Sequence, residues 1–401
     1  MRIDRVCSAA AIDVRLERDI LAHVKNIHLR KHHRGHPWIF SNEIRHKDDI
    51  PPGDIVNIHR GSKFLGRGFY NPHSLIAIRR FTEVEEEFNQ QFVNNMVDRA
   101  FAYRRKFTRE KSFRLIHSES DGLPGLIVDK YEDNLVIQIN CYGIDRRRNM
   151  IVESLARMQP LFIYEKSDSH ARRLEGLEPK QGLLYGTLVA PLIIRQDRIP
   201  FMVDIEGGQK TGFFFDLSEV RRKVKKMCGS RKVLDLFCYT GAFSLYAAHG
   251  GAYSVTGVDS SKTAIALAVK NSKLTNTKAV EFFCADAFDF LRHAKERYDV
   301  IIVDPPSFAK SKKSLTTARQ GYKNINYLAM LHLERNGLLV TTSCSHHLGE
   351  QEFVEILHES ARDTGRNFRI IDRATQSPDH PVLLSMPESR YLKCLFLQRV
   401  D

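Results

Sequence analysis

The chain of 401 residues contains no Cys-x-x-Cys pair and no His/Cys cluster at zinc-binding spacing, although it has seven cysteines, at positions 7, 141, 228, 238, 284, 344 and 394. That absence argues against a structural zinc site and points to thiols kept reduced, as in the cytoplasm. No apolar stretch approaches the roughly 20 residues needed to cross a bilayer. Near the start, Arg2 and Arg5 resemble a signal sequence, but Asp4 and Asp13 bracket too short an apolar run. The dinucleotide fingerprint Gly-x-Gly-x-x-Gly is missing, which disfavours NAD and FAD. Internal repeats and low-complexity tracts are missing too. The expectation is a cytoplasmic protein without a membrane span or a metal.

What is present is ordinary globular composition, 42% hydrophobic and 27% charged, at a length that suits two or three domains. The net charge of +13 is uneven. Residues 1–112 carry 21 basic and 14 acidic groups, residues 113–205 carry 12 and 13, and residues 206–401 carry 28 and 21. Basic excess at both ends around a neutral middle fits a polyanion held by two outer modules. A merely soluble basic protein fits the charge equally well.

Patterning divides the chain further. After an extension over 1–27, residues 28–84 alternate short apolar strands with Gly and Pro turns, as in a small β-barrel. Residues 85–112 place Phe88, Phe92, Val93, Met96, Val97, Ala100 and Phe101 near helical spacing and read as a linker helix. Residues 113–205 mix strands with one helical stretch, a compact α+β domain. From 206 to 401, strand and helix alternate, which predicts an α/β domain with a largely parallel sheet covered on both faces.

The chemistry concentrates in this last part. Four acids end successive strands: Asp235 in VLDLF, Asp259 in SVTGVD, Asp286 in VEFFCAD and Asp304 in VIIVDPP. Each alone reads as a turn former or helix cap, but four in series point to a nucleoside-like ligand, with Asp259 facing ribose hydroxyls and Asp286 an adenine amino group. Gly241 opens the helix after the first strand, where a ligand can approach the backbone. Prolines 305 and 306 have no N–H and keep the chain open beside that pocket.

These residues resemble the S-adenosylmethionine-dependent methyltransferases, and more closely the bacterial large-subunit ribosomal RNA cytosine-5 methyltransferases with an N-terminal PUA domain. The resemblance runs from about His28 onward, through HPWIFSNEI (36–44), FLGRGFYNPHSLIAIRR (64–80), DGLPGLIVDKY (121–131), GQKTGFFFD (208–216), VLDLFCYTGAFS, VDPPSFAKSK and TTSCSHH (341–347). It implies a PUA domain, a small α+β domain and a Rossmann-like catalytic domain that methylates C5 of a cytosine. Asp235, Gly241, Asp259 and Asp286 would bind S-adenosylmethionine. Asp304 would serve both the cofactor and the base, and Cys344 would be the nucleophile. Arg30, Lys31 and Arg34, with Lys310, Lys312 and Lys313, would face ribosomal RNA. A homodimer is compatible with the pattern. The other six cysteines read as small buried hydrophobes. His346 and His347 either tune Cys344 or serve the start of the next helix.

Two departures from that family stand out. Ser307 follows Pro306 where many cytosine-5 RNA methyltransferases have a second cysteine, and Phe215, Asp216, Leu217 and Ser218 replace the usual leucine, aspartate, glutamine and arginine. Methylation of a guanine nitrogen, or an RNA-binding assembly factor that no longer catalyses, remain the alternatives.

Overall fold

The computed structural model describes residues 24–30, 35–45, 49–308 and 315–401. Lys31, Arg34, Lys310, Lys312 and Lys313 therefore lie outside the described residues, as does Cys7. The chain forms two compact units, one over Met1–Tyr103, Ile116–Val128 and Leu135–Thr187, the other over Arg104–Leu115, Asp129–Asn134 and Leu188–Asp401.

In the first unit, strands β1 (Asn26–His28), β2 (Trp38–Phe40), β3 (Ile55–Arg60), β4 (Lys63–Tyr70) and β5 (Ile76–Thr82) make one sheet, ordered β1-β3-β4-β5-β2. β1 and β3 are parallel and the other pairs antiparallel. Alternate residues point to one side, so Val56 and Ile58 join Ile27, Ile39 and Ile78 in a single core. Helix α1 (Gln90–Arg105) falls inside the expected linker and starts where Asn89 Oδ1 accepts the Phe92 N–H at 2.9 Å. A second sheet comes next, β6 (Phe113–His117), β7 (Leu126–Tyr131), β8 (Asn134–Ile139), β9 (Phe162–Ser167) and β10 (Lys180–Gly186), in spatial order β10-β9-β8-β7-β6. Helices α2 (Tyr142–Arg146), α3 (Arg148–Ala156) and α4 (His170–Leu174) accompany it.

A buried ion cluster ties distant parts of this unit together. Arg79 pairs with Glu119 at 2.7 Å and Glu175 at 3.1 Å, and all three side chains are nearly closed to solvent. Trp38 Nε1 donates to Glu119, and Ser74 Oγ donates to Glu175. Removing the arginine would strand two buried carboxylates, which costs several kcal/mol.

The longest segment of the second unit opens with a hairpin, β11 (Leu192–Gln196) and β12 (Ile199–Val203). The sequence pattern assigns these residues to the middle domain. In the structure they pack with the alternating α/β region instead, because the side chain of Asn271 accepts the Met202 N–H at 2.7 Å. That region runs α5 (Ser218–Met227), β13 (Lys232–Leu236), α6 (Ala242–His249), β14 (Ser254–Asp259), α7 (Lys262–Leu274), β15 (Val280–Cys284), α8 (Ala287–His293), β16 (Tyr298–Val303), α9 (Leu315–Leu331), β17 (Leu333–Ser343), α10 (Glu350–Thr364), β18 (Phe368–Ala374) and β19 (Lys393–Arg399).

These seven strands form one sheet, ordered β15-β14-β13-β16-β17-β19-β18. The first five are parallel, while β19 runs antiparallel to both β17 and β18. Consecutive residues serve opposite faces: Val233, Val300 and Ile302 pack with α5 and α6, and Leu234, Ile301 and Val303 pack with α9 and α10. Cys141, Cys228, Cys238 and Cys394 are buried as expected, but Cys284 is exposed. It ends β15, an edge strand whose side chains are mostly open to solvent, so the reading of it as a buried hydrophobe is corrected.

Candidate active site

A cavity of about 340 Å³ opens at the carboxyl ends of the parallel strands, within the second unit. Chain order reverses there, since β14 and β16 leave opposite sides of β13, and such a switch point is where open α/β sheets form a crevice. Asp259, Asp304 and Cys344 all line it.

The turn from β13 into α6 builds one wall. Phe237, Tyr239 and Gly241 adopt positive φ of 62°, 49° and 83°. Such a turn needs anchoring, since non-glycine residues are strained there. β14 supplies the anchor: Val258 O accepts from the Cys238 N–H at 3.0 Å and Asp259 Oδ2 from the Tyr239 N–H at 2.9 Å. Asp259 Oδ1 takes the Ser261 N–H at 2.8 Å, so this carboxylate is oriented by backbone on both sides and keeps lone pairs for a ligand. Gly241 is required by both conformation and crowding, because a Cβ there would lie 2.7 Å from the Phe282 ring.

Asp235 and Asp286 stand outside the cavity wall. Asp235 is fully buried in β13, with Oδ2 accepting from Ser244 Oγ at 2.6 Å and Oδ1 without a partner. Burial pushes its carboxyl up to about 7. Asp286 caps α8 through the Phe288 and Asp289 N–H groups.

The opposite wall comes from the ends of β16 and β17. Asp304 follows β16 and accepts a hydrogen bond from Thr342 Oγ1, and burial raises its carboxyl to about 6. Cys344 follows β17, half-buried. Burial raises its thiol, Lys210 and Lys393 oppose that rise, and Asp304 and Asp216 add to it. Ser307, at the position of the second cysteine of many relatives of this kind, lies 2.9 Å from Ser345 Oγ, which also meets Tyr322 OH at 2.9 Å. His346 and His347 are not part of the lining; His346 lies beside Tyr391, its ring centre 5.5 Å away.

Residues that sequence reasoning passed over complete the cavity. Asp216, the aspartate of GQKTGFFFD, is buried and accepts from Tyr391 OH at 2.6 Å, while its Oδ1 is unpartnered. Burial alone would raise this carboxyl, but Lys210, His380 and Tyr391 hold it down to about 2. Lys210 Nζ stands 4.0 Å from Asp216 and 4.4 Å from the centre of the Phe214 ring. Arg221, buried on α5, donates to Phe214 O at 2.8 Å and brings a cation toward Asp216 and Asp304. The signal was the motif itself, whose polar residues sat unassigned. Arg30, in the first unit, is exposed and donates to Arg45 O.

The donor set suits a nucleoside with a cationic end. The carboxylates of Asp259, Asp216 and Asp304 surround apolar walls of Phe214, Phe237 and Phe243, and the unpartnered Asp216 Oδ1 awaits a donor. Among the described residues no group of His, Cys, Asp or Glu is arranged to hold a metal, and no helix is long and apolar enough to cross a membrane.

Comparison with known proteins agrees with this reading. The profile of S-adenosylmethionine-dependent methyltransferases matches residues 182–396, and that of PUA-like domains matches residues 23–83. The chain is 40% identical over 377 residues to the ribosomal RNA large subunit methyltransferase I of Shewanella denitrificans, covering 90% of this chain and 95% of that protein. To its counterpart in Alteromonas mediterranea it is 37% identical over 380 residues, covering 92% and 96%. Among solved structures, a Streptococcus mutans protein described as a SAM-dependent methyltransferase superposes with a TM-score of 0.81 at 21% identity, over 94% of this chain and 100% of its own. A methyltransferase complexed with SAH gives 0.79 at 22%, over 93% and 99%. At such identities the two structures bear on the fold alone. The chain thus belongs to the S-adenosylmethionine-dependent methyltransferases, in the ribosomal RNA large subunit methyltransferase I family, and S-adenosylmethionine is its cofactor.

Proposed function

We propose that the protein methylates C5 of a cytosine in large-subunit ribosomal RNA. The observation that carries this reading is the thiol of Cys344 on the wall of the same cavity as Asp304 and Asp259. The ribosomal RNA target is that of the relatives named above, and the basic ends of the chain fit a polyanion.

Bound S-adenosylmethionine supplies an electrophilic methyl group. C5 of cytosine is too weak a nucleophile to take it unaided. The Cys344 thiolate adds to C6 and makes C5 enamine-like; C5 takes the methyl, loses its proton to a base, and the C6–S bond breaks to release the thiolate. Asp304 orients the base. Asp259 receives the ribose hydroxyls, and Asp235, Gly241 and Asp286 shape the cofactor site around it. Arg30, Lys31 and Arg34, with Lys310, Lys312 and Lys313, hold RNA phosphates. The target must leave its stack to enter the cavity, at a cost of a few kcal/mol when paired. The cytoplasm, which keeps such a thiol reduced, is the compartment we assign.

RNA carrying 5-fluorocytosine at the target tests this directly. Fluorine cannot leave as a cation, so the adduct should persist as a covalent complex on denaturing gels. Cys344→Ala should lose trapping and turnover while still binding cofactor. A Cys344→Ala protein that methylates RNA would refute the nucleophile and favour a guanine nitrogen. Wild-type protein that binds RNA and cofactor without turnover would favour an assembly factor.

A further inference from the structure

Cys344 needs its thiolate, yet burial works against ionisation. The reversed strand β19 brings the answering charge. Because β19 runs antiparallel to β17, its first residue meets the last residue of β17 at the carboxyl edge of the sheet, and the register pairs Lys393 with Ser343. Lys393 is 7% exposed. Its Nζ donates to Ser345 O at 2.6 Å, so the ammonium is held at the residue that follows Cys344.

A buried ammonium normally has a carboxylate beside it. Lys393 makes no ion pair with an acid within 4 Å among the described residues. The acid nearest in electrostatic terms is Glu350, whose two oxygens are taken by Arg373 at 2.7 Å and Arg390 at 2.6 Å. Among the described residues the cation thus has no ion-pair partner, and Cys344 opposes its loss of charge more than Glu350 does.

We propose that Lys393 is a positioning residue for the nucleophile: it fixes the turn after β17 through Ser345 O and joins Lys210 in supplying the charge that stabilises the Cys344 thiolate. This rests on the assignment of Cys344 as nucleophile. The charged and titratable groups around the pair are Lys210, Asp304, Asp216 and Tyr322 toward Cys344, and Arg390, Glu350 and His346 toward Lys393. Burial lowers Lys393 to about 8, and Cys344 works against that fall, as a charge pair requires.

The test reads the thiol without RNA. Full-length wild type, Lys393→Met and Lys393→Arg are alkylated with iodoacetamide across a pH series, and modification of the Cys344 peptide is followed by mass spectrometry. Lys393→Met should move the midpoint up and slow the reaction at neutral pH by roughly tenfold; Lys393→Arg should restore most of the rate. Equal midpoints in wild type and a folded, cofactor-binding Lys393→Met would overturn the proposal. Should Lys393→Met fail to fold, the reciprocal experiment decides: in Cys344→Ala the Lys393 side-chain titration, read by NMR of isotopically labelled lysine, should move down, and an unmoved titration would overturn the pairing. A Lys393-dependent midpoint in a protein that never traps 5-fluorocytosine RNA would leave the Lys393–Cys344 charge pairing standing and sink the cytosine-5 reading instead.

Discussion

Asp235 is a carboxyl group sealed from water, with one oxygen bonded to Ser244 and the other to nothing. Its value near 7, and the value near 6 of Asp304, lie above the ordinary 3.8, so the folded protein holds these protons more tightly than the unfolded chain. Their contribution to stability is full below about pH 4 and is lost as pH rises through 6 and 7. Asp216, held near 2, works the other way, stabilising above about pH 4 and losing that contribution as pH falls toward 2. Between pH 4 and 7 the two raised acids should therefore dominate these three. Urea unfolding of ligand-free Asp235→Asn at pH 5, 6 and 7 should show a slope flatter by up to about 1.4 kcal/mol per pH unit; an unchanged slope would mean Asp235 is ionised in the folded state. The place of Cys344 and Asp304 on the cavity wall was legible in the sequence because each follows an apolar run that reads as a strand of the parallel sheet. Asp216, Lys210 and Lys393 were not, because what singles them out is their neighbours in space: an unfilled acceptor, a ring beneath an ammonium, a cation without its acid.

The turn between β13 and α6 is a single device. Gly241 must accept a φ of 83°, and the Phe282 ring occupies the space a methyl would need. Gly241→Ala should cost about 2–4 kcal/mol in urea unfolding, the left-handed backbone and the overpacked ring adding together. Gly349→Ala is the control, since nothing lies within 4 Å of its would-be Cβ and its φ is −69°; it should change stability by less than about 1 kcal/mol. If the two variants were equally stable, the turn would be softer than its geometry implies. The parallel strands were legible because burial on both faces writes them as unbroken apolar runs. β18 escaped notice because its burial pattern is mostly open, which gives FRIIDRA no clear period, and the role of β19 depends on which strand it lies beside.

For the whole molecule, the uneven charge predicts salt-sensitive RNA binding. Removing residues 1–82 outright would be a poor test, because it deletes Arg79 and leaves Glu119 and Glu175 buried without their cation. Arg30 is the better probe, being exposed, with its guanidinium donating to a backbone oxygen, Arg45 O. Arg30→Ala should weaken RNA binding and lower the slope of log affinity against log salt by about 0.9 on a duplex or about 0.7 on a single strand, with cofactor binding unchanged. An identical slope would take Arg30 out of the RNA footprint. The outer placement of positive charge was visible in composition; which lysines and arginines stand free of acids was not.

The position of β19 also bears on how the sheet is completed. It is last of the strands along the chain but lies inside the sheet, between β17 and β18. Within that sheet β18 pairs with β19 alone, so it reaches the sheet only through its successor, which pairs with β17. Docking β19 must gather Thr342 and Cys394, and the parallel core must gather Val233 and Val300 across a longer separation still; both are the kind of pairing that comes slowly. On the pairing proposed above, Lys393 arrives on that same strand, so a chain whose β19 has not docked against β17 would carry Cys344 without that cation.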